Sequence, residues 1–157
     1  MKRLKHSLTP SLCIDYGSGY RPAKGYKTSD ITGSPVLDYF IIGNRIYSDP
    51  PIELPEATVT KFRLRNVVHH VPDLTDLFTA LYVYLIPGGT VEVIDCAKRC
   101  YKVNVFLDKL WYRFVLRDRK IWISETYRDY VSAAVKAGFR VLSKSRRHEK
   151  DIVVLQK

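Results

Sequence analysis

Leu12-Cys13-Ile14-Asp15-Tyr16-Gly17-Ser18-Gly19-Tyr20-Arg21-Pro22 is an apolar run that passes through an acidic residue into a tight glycine turn. Glycine accepts positive φ and has no Cβ, so Gly17 and Gly19 can bend the chain sharply and open one wall of a pocket, with Asp15 as a fixed acceptor at the strand's end. A short Gly-x-Gly also occurs in ordinary turns. A binding loop differs in its context, which is a strand before it and a second strand that ends in an acidic residue after it. Tyr26-Lys27-Thr28-Ser29-Asp30 supplies that second strand and ends on Asp30.

Working outward, the segment from Ile31 to Ala57 is rich in Pro, Gly and Asp and reads as loop, with one short strand at most around Tyr39-Phe40-Ile41-Ile42. Thr58-Val59-Thr60-Lys61-Phe62-Arg63-Leu64 alternates apolar and polar residues, the period of a half-covered strand. Asp73 is placed to cap a helix whose Leu74, Leu77, Phe78, Leu81 and Leu85 share a face, and Pro87-Gly88-Gly89 stops it. Thr90-Val91-Glu92-Val93-Ile94 is another strand. The spacing predicts a helix from Val103 to Leu116, with Val103, Phe106, Leu107, Leu110, Trp111 and Phe114 on one side and Lys109, Arg113 and Arg117 on the other. A last helix runs from about Glu125 to Ala137 and ends at Gly138. Phe139 to Ser143 and Ile152 to Leu155 then form a hairpin across the charged turn Lys144 to Asp151.

This alternation predicts an α/β fold: a single Rossmann-like, mostly parallel sheet flanked by helices, closed by a C-terminal antiparallel hairpin. One domain accommodates residues 1–157, with 1–11 as an N-terminal extension and a core from about 12 to 157. Hydrophobic content of 46% is enough for a core of that size. No run approaches the ~18 apolar residues of a membrane span, and the basic, polar N-terminus lacks a secretory pattern, so a soluble, cytoplasmic protein is expected. Cys13, Cys96 and Cys100 are odd in number and show no metal-type spacing, which fits a reducing compartment and no metal site. Cys13, within the first strand, reads as a small buried hydrophobe. A net charge of +10 favours polyanionic partners without identifying one, since solvated lysines and arginines give the same total.

Four landmarks in order resemble the class I S-adenosylmethionine-dependent methyltransferases, especially short, Rossmann-like members. They are Asp15-x-Gly17-Ser18-Gly19-x-Arg21-Pro22; Gly25-Tyr26-x-x-x-Asp30-Ile31; Asn66-Val67-Val68-His69-His70-Val71-Pro72-Asp73; and Leu85-x-Pro87-Gly88-Gly89-Thr90-Val91-Glu92-Val93. Ala137-Gly138-Phe139-x-Val141 is similar to the family's closing segment. The resemblance implies that Gly17, Ser18 and Gly19 pass beside the methionine part of S-adenosylmethionine, that Asp15 anchors the loop or the amino group, and that Asp30 takes the ribose hydroxyls. It also implies that Asp49 lies near the adenine. Each of these could instead be a turn former. The span from Gly19 to Asp30 is too short for the helix that separates the first two strands in the family, and Arg21 stands where a third glycine would.

Methyl transfer from a sulfonium needs positioning first, and a general base only where the acceptor must lose a proton. His69 and His70 are the base candidates, against a reading in which one of them packs at the start of the next helix. Asp49-Pro50-Pro51-Ile52 looks like the Asp-Pro-Pro-aromatic motif of amino-directed nucleic-acid methyltransferases. It lacks the aromatic and precedes the strand it should follow, and is rejected. The basic segment 98–120, with Tyr101, Trp111, Tyr112 and Trp122 among or beside its arginines, sits where the family inserts acceptor recognition. It would serve nucleic acid, although the helical spacing of its aromatics also suits core packing. The sequence therefore supports a methyltransferase of unknown acceptor or, given the shortened crossover, an inactive binding module on the same fold. It contains no Gly-x-x-x-x-Gly-Lys-Ser/Thr loop for a different nucleotide-binding class.

Overall fold

Five strands line up in parallel because their apolar positions alternate and their crossovers return the chain to the same edge. A computed structural model of the chain describes residues 11–18, 23–30, 37–48, 52–115 and 122–157. Its strands are β1 (Leu12–Tyr16), β2 (Lys27–Asp30), β3 (Tyr39–Ile42), β4 (Arg45–Tyr47), β5 (Val59–Arg65), β6 (Leu85–Cys96), β7 (Arg140–Arg147) and β8 (Lys150–Gln156). They form one sheet in the order β4-β3-β2-β1-β5-β6-β8-β7. Strands β3, β2, β1, β5 and β6 are parallel, while β4, β8 and β7 pair antiparallel with their neighbours. The strand order reverses at β1, and this crevice is where open α/β sheets hold ligands. The helices are α1 (Leu74–Tyr84), α2 (Tyr101–Leu110) and α3 (Tyr130–Lys136).

The register sorts the two faces. Ile14, Phe62 and Val91 stand side by side across β1, β5 and β6, as do Tyr16, Leu64 and Val93. All six are buried, in one cluster with Leu77, Phe78 and Leu81 of α1 and Tyr130 and Ala134 of α3. Each large side chain so buried contributes about 1.5–3 kcal/mol. The alternate row, Asp15, Arg63 and Glu92, turns to the other face, where Arg63 lies 3.5 Å from Asp15 and 3.6 Å from Glu92.

Several elements differ from expectation. The described residues of segment 31–57 carry two strands, because Gly43-Asn44, both at positive φ, make a tight hairpin between β3 and β4. Asp73 does cap α1, its carboxylate accepting from Asp76 N at 2.9 Å. The helix stops at Tyr84, however, and Leu85 opens β6 instead of closing the helix, since the backbone approaching Pro87 is driven extended. Asp129 caps α3, so that helix starts five residues later than expected and Glu125 to Arg128 lie outside it. Most of the charged turn between the last strands is itself strand: His148 and Glu149 alone make the reversal. Cys13 is half-buried, and Cys96 is the buried cysteine. Between β1 and β2 the described residues contain no helix, only a turn in which Tyr26 N donates to Ala23 O at 3.2 Å.

Candidate active site at the carboxyl edge of the sheet

The glycine half of the edge follows β1. Gly17 has φ +68°, and a Cβ there would come within 2.7 Å of Val67 Cγ2, so both conformation and space require glycine. Ser18 N donates to Ser29 O at 2.9 Å, and Ser29 Oγ donates to Asp15 O at 3.1 Å, fastening the turn to β2. Asp15 is buried, and its Oδ2 accepts from Ala23 N at 2.7 Å. Burial raises its pKa, opposed by the Ala23 N–H and the Arg63 guanidinium. Its carboxylate thereby ties Ala23 to the end of β1. The hydroxyl of Ser18 is buried with no hydrogen-bond partner among the described residues. Asp30 ends β2, one strand away and half-buried. Gly19 and Asp49 lie outside the described residues.

The histidine half follows β5. Asn66 takes a left-handed conformation at φ +57° and turns the chain into a short 3₁₀ segment, Val68–His70. His69, 4% exposed, is bracketed by two carboxylates: Nδ1 is 2.8 Å from Asp95 Oδ1 and Nε2 is 3.1 Å from Asp108 Oδ2. Burial works against its charged form, yet the hydrogen bonds to Asp108 and Asp95 prevail and push its pKa up to about 9. Asp95, penultimate in β6, also accepts from Cys96 N at 2.7 Å and Val68 N at 3.2 Å. Burial, the largest single influence, would raise its pKa, but the hydrogen bond and charge of His69 together with the bonds from Cys96 lower it. Nδ1 of His70 lies 3.2 Å from Trp122 O, an atom that can only accept, so that nitrogen carries the hydrogen and the neutral ring keeps its lone pair on Nε2. Burial and the adjacent His69 lower the His70 pKa to about 4. Arg128 holds this loop from outside, donating to Pro72 O, Val68 O and Val71 O.

Asp95 and Asp108 escaped the sequence reading. Asp95 repeats the signal of Asp15, a carboxylate near the end of an apolar strand at the ligand edge. Asp108 has no such signal, because only the packing of α2 brings it to His69. In α2, expectation and structure part. Tyr101 and Val105 are buried against Cys96 and Ile123, whereas Val103, Phe106, Leu107, Leu110, Trp111 and Phe114 are exposed. Helical spacing shows which residues share a face, but it does not supply a partner to cover them. The helix continues in a wider π-helical turn, Trp111–Val115, where the Arg113 guanidinium lies 5.5 Å from the Phe114 ring. Arg117, Arg119 and Lys120 lie outside the described residues.

No protein-family model and no curated protein sequence matches the chain. Solved structures do. An S-adenosylmethionine-dependent methyltransferase from Mesorhizobium loti superposes with a TM-score of 0.64 at 13% identity, covering 93% of this chain and 90% of that one. One from Methanosarcina mazei gives 0.60 at 12% identity, covering 93% and 91%. A geranyl diphosphate methyltransferase, solved with GPP and sinefungin, gives 0.62 at 12% identity over 93% and 71%. The chain has the class I methyltransferase fold. No helix among the described residues is long and apolar enough to cross a membrane.

Proposed function

We propose that the protein is an S-adenosylmethionine-dependent methyltransferase. The observation that carries this reading is the turn after β1: a glycine obligatory at positive φ, followed by a buried hydroxyl with no partner among the described residues, at the point where strand order reverses. A buried polar atom without a partner is costly, and a polar ligand tail resting on the turn would satisfy it. The residues present thus fit the cofactor. Gly17, Ser18 and Gly19 would pass beside its methionine part while Asp15 keeps the loop closed, Asp30 would accept from the ribose hydroxyls, and Asp49 would stand near the adenine. When bound, S-adenosylmethionine supplies an electrophilic methyl group on a sulfonium.

The acceptor would enter beside Asn66 to His70. Val67 touches the position of Gly17, so the histidine loop and the glycine loop share a wall. His69, held as a doubly hydrogen-bonded cation, fixes the loop; His70 offers the ring lone pair. In-line transfer depends chiefly on such placement. The exposed Phe106, Trp111 and Phe114 of α2 and the turn after it, with the Arg113 guanidinium over the Phe114 ring, offer surfaces on which other rings could stack, nucleic-acid bases among them. Retention on DNA or RNA at low salt that falls steeply as salt rises would assign those surfaces to nucleic acid. Its absence would favour a small-molecule or protein acceptor.

Calorimetric titration with S-adenosylmethionine and S-adenosylhomocysteine tests the reading. Saturable binding is expected, and Asp30→Ala should weaken it by about 1–3 kcal/mol, the cost of orphaning buried donors. If neither compound binds, the chain is a binding module on a methyltransferase fold. Unchanged affinity in Asp30→Ala would remove the ribose assignment.

A further inference from the structure

We infer that His69, His70 and Asp108 form a binding site for a divalent first-row transition-metal ion, which would take up the same His70 lone pair that the proposed transfer would otherwise use. Their ligand atoms all lie within 4.8 Å of one another. The Nε2 of His69 and Oδ2 of Asp108 are 3.1 Å apart, close to the edge of about 3.3–3.4 Å expected for a tetrahedral ion with bonds near 2.0–2.1 Å. Two imidazoles and a carboxylate form a donor set that favours zinc and its neighbours over magnesium or calcium.

What distinguishes this cluster from a chance meeting of side chains is how the rings are held from behind. A metal-bound histidine donates its other ring N–H to a carboxylate or a backbone carbonyl, which fixes the tautomer and aims the lone pair. Both rings have that partner. Nδ1 of His69 donates to Asp95, and Nδ1 of His70 donates to Trp122 O. Asp95 is in turn fixed by two backbone N–H groups, from Val68 and Cys96. With a hydrogen on each Nδ1, Nε2 is left as the ligand atom of each ring. On binding, the ion would take the place of the proton between His69 and Asp108, and that proton would leave to solvent.

The neighbouring set His69, Asp95 and Cys96 also lies within ligand distance, but all three residues are buried and the Asp95 oxygens already accept from the backbone. The Asp108 side chain is 37% exposed and gives the first set an opening to solvent. In that site three protein ligands leave a coordination position for an exogenous oxygen or nitrogen group.

The test uses the untagged full chain, stripped with chelator and titrated with Zn²⁺ against a chromogenic competitor, with Mg²⁺ in a parallel titration. One equivalent of zinc should bind and magnesium should not compete. His70→Ala and Asp108→Asn, at half-buried positions, should each lose more than the about 10–100-fold that removal of an outer partner costs, measured at a temperature where circular dichroism shows each variant folded. Cys96→Ser should bind as the parent does. The proposal fails if the parent takes up no zinc, if both single variants retain parental affinity, or if Cys96→Ser alone abolishes binding. In the first case His69 is only a cation paired between two carboxylates.

Discussion

The glycine half and the histidine half of the carboxyl edge meet at Val67, yet they are built by opposite means. The glycine half is shaped by missing atoms and by backbone: Gly17 lacks a Cβ that would strike Val67, and Ser18 N and Ala23 N place the turn. The histidine half is shaped by side chains from distant parts of the sequence, with Asp95, Asp108, Trp122 and Arg128 converging on Val68 to Pro72. One half should suffer from added atoms and the other from removed ones.

The largest effect is expected from a deletion in the histidine half. Asp95→Ala removes the acceptor of two backbone N–H groups and one of the two carboxylates that pair with a buried imidazolium. Breaking such a pair costs about 3–5 kcal/mol, to be read from urea unfolding. A loss below about 1 kcal/mol, the range of an exposed pair, would mean that the histidine half does not depend on its charges.

An addition in the glycine half should come next. Gly17→Ala imposes a left-handed conformation on a residue with a Cβ, at about 1–2 kcal/mol, beyond the clash with Val67. Val67→Ala in the same chain opens the space without relaxing φ, so the double variant should regain only part of the loss. Full recovery would show that steric contact, and not backbone conformation, makes glycine necessary.

The smallest change in stability sharpens the contrast most. Ser18→Ala removes a buried hydroxyl with no partner among the described residues, so unfolding should shift by no more than about 0.5 kcal/mol, or toward greater stability. Affinity for S-adenosylmethionine should fall in the same variant. Were stability lost instead, the hydroxyl would be serving the fold and not a ligand.

The same division explains what the sequence reveals. The places of Asp15, Gly17 and Asp30 at strand ends and turn are legible because strand, turn and strand lie close along the chain, and local chemistry decides them. The Gly43-Asn44 turn between β3 and β4 is equally local, and its hairpin signal is present in the residues. His69 and His70 could be recognised as candidates from their place after β5, but not their different situations, since these depend on partners 26, 39 and 52 residues away. Residues Val103 to Phe114 show the limit of periodicity. The pattern identifies their common face, but packing against Cys96 and Ile123 selects the Tyr101–Val105 side instead.

The outermost strand gives part of the +10 charge a use that requires no polyanion. β7 is the last strand of the sheet, nearly all of its residues are exposed, and it carries Arg140, Lys144, Arg146 and Arg147. The border of a sheet has unpaired N–H and C=O groups to which a strand of another molecule can attach, the first step toward aggregation. Two copies approaching along β7 would bring Arg140, Lys144 and Arg147 against their counterparts, while Arg146 is paired with Asp151 at 2.5 Å. This row of arginines and lysine thus acts as a guard against self-association, and neutralising it should appear as turbidity in concentrated protein before it appears in any assay of binding.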